Sequence, residues 1–147
     1  MLPQPQSAQT VKVWDIWVRI THWAVSAGIF VNLIVTEGGS DVHEYIGYAV
    51  VALVVSRLLW GLVGSQYARF SNFFPTPTRI REHMTDIKQH KFHGHLGHNP
   101  LGALMMFALW GVIIALGVTG YLQTTDQFWG DDSIQTIHEF LANSLWV

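Results

Sequence analysis

Apolar residues gather along this chain in long runs separated by short polar connections. Leu101–Leu122 is 22 residues without a charge, and about 20 apolar residues cross the hydrocarbon core of a bilayer as a helix. Tyr45–Val63 is 19 residues with one charge, Arg57. Ile20–Val35 is 16 uncharged residues. It reaches crossing length if Trp17, Val18 and Arg19 form its first turn, with Arg19 snorkelling to the headgroups. A fourth segment, Ile134–Val147, is apolar towards its end but too short to cross. The pattern predicts an all-α chain in one domain over residues 1–147, with transmembrane helices at about 17–36, 43–64, 99–122 and 134–147. The fourth is expected to be cut short and to run on beyond Val147. Between the second and third segments, FFPTPT carries prolines that interrupt a helix.

Loop charge gives these helices a direction. The connection after the first segment, TEGGSDV, holds Glu37 and Asp41 and no Lys or Arg. The connection after the third, QTTDQFWGDDS, holds three Asp and again no Lys or Arg. The connection between the second and third holds Arg69, Arg79, Arg81, Lys88 and Lys91, and Lys12 lies in the N-terminal tail. Basic loops stay on the cytoplasmic side, so the N-terminus and the middle loop are expected inside. The expected topology is that of a multi-pass membrane protein with a cytoplasmic N-terminus.

Composition agrees. Half the residues are hydrophobic and 12% are charged, against about 25% charged in a soluble domain. Seven Trp is many for 147 residues, and Trp14, Trp17, Trp60 and Trp129 fall near segment ends, where interface anchors sit. A net charge of −2 gives no footprint for nucleic acid. With no Cys, disulfides, thiolate metal sites and covalent c-type haem are excluded. The tail MLPQPQSAQT lacks the apolar core of a cleavable signal peptide. Gly111, Ala115, Gly117 and Gly120 are expected to permit close packing of the third helix.

Ionisable residues inside a membrane are expensive and point to function. His43 opens the second segment and His138 opens the fourth, at the same outer depth. Both are followed by Glu, in His-Glu-Tyr-Ile at 43–46 and His-Glu-Phe-Leu at 138–141. Two histidines at one depth on different helices can ligate one haem iron from both faces. The alternative is a pair of capping or interfacial histidines. His22 sits near the cytoplasmic start of the first segment, and His98 lies just before the third, near the depth of His22. His83, His90, His93, His95 and His98 make the middle loop histidine-rich. Its spacing matches no known zinc module, and a solvated, partly helical loop is the preferred reading. Arg57 follows His43 by 14 residues, so it lies on nearly the same helix face about 21 Å lower. A guanidinium there suits a haem propionate or a quinone oxygen. It equally suits a lipid phosphate reached by snorkelling.

The segments VWDIWVRITHW at 13–23, HEYIGYAVVALVVSRLLWGLVGSQYARF at 43–70, GHNPLGALM at 97–105, VTGYL at 118–122 and HEFLAN at 138–143 together resemble the bacterial cytochrome b561 family. The resemblance is to the branch that includes the b-type cytochrome subunits of nickel-iron hydrogenases, and it covers nearly the whole chain. It implies a transmembrane four-helix bundle with two haem b groups, exchanging electrons with quinol or quinone. On that pattern His43 and His138 hold the outer haem. His22 holds the inner one, with a second histidine about four turns further along helix four. This sequence ends nine residues after His138, and the natural chain is expected to continue and supply that histidine about 14 residues after His138. In its absence His98 or His95 is the alternative partner of His22. The expected partners are quinone, a periplasmic cytochrome or hydrogenase-like redox protein, the lipid bilayer and a second copy of the chain. Two other functions fit the residues: a quinol oxidase that reduces dioxygen directly, and a non-haem transporter of transition metals.

Overall fold

The computed structural model describes residues 15–89 and 99–146. Lys12, Trp14, His90, Lys91, His93, His95, His98 and Val147 lie outside the described residues. Among those described, every regular element is helical: α1 (Ile16–Ile34), α2 (Asp41–Val63), α3 (Phe70–Phe73), α4 (Pro77–Lys88), α5 (Pro100–Gln123) and α6 (Asp132–Asn143), followed by a 3₁₀ turn at Ser144–Trp146.

Each longer helix begins on a side chain able to cap it. Asp15 accepts from the Val18 amide, Ser40 from His43, Thr76 from Arg79, Asn99 from Gly102, and Asp131 from Ser133 and Ile134. These acceptors satisfy amides that have no partner within the helix. Gly39 (φ 78°) and Gly130 (φ 73°) each sit one residue before such a cap, in left-handed conformations that a side chain would disfavour. The prolines of FFPTPT act in two ways. Pro77 occupies the first turn of α4, where its missing N–H costs nothing. They therefore open a helix as well as ending one.

α2 and α5 are the two described helices long and apolar enough to cross a membrane. α1 has a comparable 19 residues but carries Arg19, Thr21, His22 and Asn32. α6 has 12 residues, a length of about 18 Å.

α1 and α2 run antiparallel. The Asn32 amide reaches the His43 carbonyl at one end, and the Trp60 indole reaches Asp15 at the other. α5 runs antiparallel to α2, because its residue Trp110 lies over Arg57 while Gly117 abuts Val51. α6 packs on α5 through His138, which contacts Thr119 and Gly120. Glycines set the closeness: a Cβ on Gly117 would stand 2.5 Å from Val51 Cγ2, and one on Gly28 would stand 2.4 Å from Val50 Cγ2. Gly61 lies directly beneath the ring of Phe70. Gly111, by contrast, faces open space, and a Cβ on Gly120 would make only ordinary contact, so the expectation of close packing holds at Gly117 but not at Gly111 or Gly120.

The buried core is small. It centres on Val50, Val54 and Ile113, with Val25, Ile29, Ile46 and Trp110 around it. Outside it the chain presents bare apolar side chains, among them Trp23 (71% exposed), Val63 (75%) and Met105 (67%). An apolar exterior over a thin core is what a lipid solvent permits and water opposes.

Candidate haem site

The two ends of the α2–α5 pair carry different chemistry. At one end, the first turn of α2 presents His43 and the second turn of α6 presents His138. Their ring centroids stand 6.3 Å apart with planes at 63°. Both side chains are half-buried. The two histidines read from sequence as one pair are thus brought together.

Each ring is held by a threonine that sequence reasoning did not single out. His43 Nδ1 lies 3.1 Å from Thr36 Oγ1, and His138 Nδ1 lies 2.8 Å from Thr119 Oγ1. Thr36 follows the end of α1 and Thr119 lies in α5, so each histidine is tied to a segment outside its own helix. Asn32 completes the first of these networks by donating to the His43 carbonyl at 3.0 Å. Gly120 leaves room beside His138, where a Cβ would come within 3.4 Å of the ring.

At the other end Arg57 is buried, at 4% exposure. Its guanidinium lies 5.5 Å from the Trp110 ring and 5.8 Å from the Phe70 ring, and both terminal nitrogens point to the Ala68 carbonyl at 3.4 Å. Flat rings on a cation supply electrostatic attraction that partly offsets lost hydration. Asp15 lies nearby and accepts from the Trp60 indole at 2.9 Å, from the Ser65 hydroxyl and from the Val18 amide. Burial alone would raise the Asp15 carboxyl; the hydrogen bonds from Ser65, Trp60 and Val18, with the charge of Arg57, outweigh it and hold the group below its usual range. Trp60 is therefore a tether between α1 and α2 as well as an aromatic near a segment end.

His22 is exposed on α1, edge-on to its neighbour Trp23 at 5.7 Å. No second histidine meets it among the described residues. His83 lies in α4 and lines a cavity of about 330 Å³ with Asn72, Phe73, Arg79, Glu82, Asp86 and Pro100. No cluster of three metal-ligating side chains forms among the described residues.

Comparison with known proteins gives this arrangement a lineage. A family model described as prokaryotic cytochrome b561 matches residues 13–147. A probable Ni/Fe-hydrogenase B-type cytochrome subunit of Bradyrhizobium diazoefficiens is 26% identical, over 76% of this chain and 57% of its own length. Proteins of the same description from Azotobacter vinelandii and Azotobacter chroococcum are each 24% identical, over 76% of this chain and 58% of theirs. The chain thus spans rather more than half the length of these curated relatives. No solved structure matches. With the family model running over nearly its whole length, the chain belongs to the prokaryotic cytochrome b561 family.

Proposed function

We propose that this chain is the haem-bearing core of a membrane b-type cytochrome that carries electrons between the quinone pool and a redox protein on the outer face. The single observation that supports it best is the separation of the His43 and His138 rings. A metal–imidazole nitrogen bond is about 2.0 Å, and a ring centroid lies roughly 1.1 Å behind its nitrogen. Two imidazoles holding one metal from either side would therefore have centroids about 6.2 Å apart, close to the 6.3 Å between these rings. His43 and His138 would be the axial ligands, and the haem would supply one-electron chemistry. What the chain itself does is hold two imidazoles at a fixed distance and surround them with apolar helices. Thr36 and Thr119 hold the rotation of the two rings.

The wider reading extends the same site. α1, α2, α5 and α6 are four helices of one transmembrane bundle and one domain, and His22 marks a second haem position towards the Arg57 end. Arg57 serves a propionate or a quinone oxygen there. Burial supports this for Arg57, because a guanidinium that merely snorkels to phosphate is not 4% exposed. The hydrogenase-cytochrome description of the relatives supports a hydrogenase-like donor or acceptor. Arg69, Arg79, Arg81 and Lys88 against Asp126, Asp131 and Asp132 support a cytoplasmic Arg57 end in a bacterial inner membrane. A cysteine at Asn72 is then shielded from an impermeant reagent in intact cells and one at Asp131 reacts; the opposite pattern reverses the orientation.

The purified chain, reduced with dithionite, tests the haem reading itself. A b-type α-band is expected. Its absence after haem supplementation, with metal bound at His43 and His138 instead, overturns the reading in favour of a metal-transport site.

A further inference from the structure

We propose that Thr36 and Thr119 are positioning residues that fix the tautomer, the rotation and the electron-donor strength of His43 and His138. The inference rests on the haem reading above and goes beyond it, because it assigns work to two side chains that touch no cofactor.

The direction of each hydrogen bond is inferred from the acceptors around each hydroxyl. A threonine hydroxyl has one hydrogen and two lone pairs, and a carbonyl oxygen only accepts. Thr119 Oγ1 lies 2.9 Å from the Ala115 carbonyl and 3.2 Å from the Leu116 carbonyl. With two carbonyls of its own helix in reach, we assign its one hydrogen to them. On that assignment a lone pair faces His138 Nδ1 at 2.8 Å, and Nδ1 carries the hydrogen and donates. Thr36 repeats the scheme. Its hydroxyl lies 3.2 Å from the Asn32 carbonyl and 3.3 Å from Asn32 Oδ1. The Asn32 amide nitrogen is turned towards the His43 carbonyl, which leaves Oδ1 as an acceptor. Again the lone pair of the hydroxyl faces the histidine, at 3.1 Å.

A neutral imidazole has one N–H. With it on Nδ1 in both rings, both Nε2 atoms carry the free lone pair that a metal requires. Each Nδ1–H···Oγ bond also draws the ring proton away, which makes Nε2 a better donor and steadies the oxidised metal. The arrangement differs from ordinary threonine back-bonding in a helix, which satisfies the hydroxyl and needs no histidine. Here two threonines from different elements, each already bonded to its own backbone, meet the same nitrogen of two partner rings.

The test is the midpoint potential and low-temperature EPR spectrum of the haem-loaded protein carrying Thr36→Val or Thr119→Val, with Thr36→Ser and Thr119→Ser beside them. Valine keeps the shape and removes the acceptor. The expected result is a potential shifted upwards, with altered low-spin g values, in each valine variant and wild-type behaviour in each serine variant. If a valine variant binds haem too weakly to measure, a 10- to 100-fold loss of haem affinity that serine restores is the equivalent result. Valine variants with wild-type affinity, potential and g values overturn the proposal and leave the haem reading standing. Serine variants that behave as valine also overturn it, since the hydroxyl is then not the active group. A wild-type chain with no b-type α-band is a different failure, that of the haem reading.

Discussion

The His43 end and the Arg57 end of the α2–α5 pair solve opposite problems with the same helices. At the His43 end two histidines are paired across helices, and each is bonded to a threonine through Nδ1. At the Arg57 end the expensive group is a permanent charge. It is wrapped by Trp110 and Phe70, leans on one carbonyl at 3.4 Å, and has Asp15 nearby. On the proposed function, the first end holds a metal between the two rings, and the second keeps one cation dry for an anionic or carbonyl oxygen. The contrast teaches that burial of a polar group in an apolar bundle is informative only with its bonding pattern: the spare valence says what the site is for.

The sharpest way to break the comparison is to part both ends at once. Gly117 lies between them, where α5 touches α2. Gly117→Leu is expected to cost about 3 kcal/mol of stability through overpacking against Val51. It should lower haem retention as well, as measured by thermal unfolding and absorbance in detergent. Gly111→Ala on the same helix meets nothing within 4 Å. It should leave stability unchanged or raise it by up to about 1 kcal/mol. Equal losses in the two variants would show that the α2–α5 approach is not set by Gly117.

A narrower cut separates the ends. Arg57→Leu is expected to slow quinol-dependent reduction about tenfold, the loss of one charge-assisted hydrogen bond worth about 1.5 kcal/mol. The absorption of the haem at His43 and His138 should not change. An unchanged rate would reduce Arg57 to a structural cation.

Asp15 sharpens the second end by pH. Its carboxyl is held below the ordinary range of an aspartate, so the ionised form is the stabilising one. That contribution is complete above the unfolded-state value and is lost as pH falls through the lowered, folded-state value. Below about pH 4 the wild type should therefore lose stability more steeply than Asp15→Asn. Asp15→Ala, which also removes the cap of α1, should cost about 1 kcal/mol at neutral pH. Parallel acid profiles for wild type and Asp15→Asn would remove the ionised carboxylate from the account. The smallest effect belongs to His22: His22→Ala should leave the haem at His43 and His138 spectrally unchanged.

These contrasts were unevenly legible in the sequence. His43 and His138 could be paired because each opens an apolar segment on the same side and each is followed by Glu. Arg57 stood out as the one charge in its run. Thr36 and Thr119 gave no signal, since threonine is ordinary in apolar helices and its role here depends on a partner in another helix. The Asp15–Trp60–Ser65 cluster joins residues about 45 and 50 positions apart, which no local pattern reports. α4 was obscured by reading prolines as breakers, although Thr76 before Pro77 is a cap followed by a first-turn proline and marks a helix start. The histidines expected opposite His22 lie outside the described residues.

The central claim is that one haem sits between His43 and His138, and haem content per chain measures it most directly. The full chain and its His43→Ala and His138→Ala variants, purified in parallel and assayed as pyridine haemochrome, should show one haem fewer in each variant than in the wild type. The loss should be the same in both, with helical content retained. Full haem content in either variant would contradict the account.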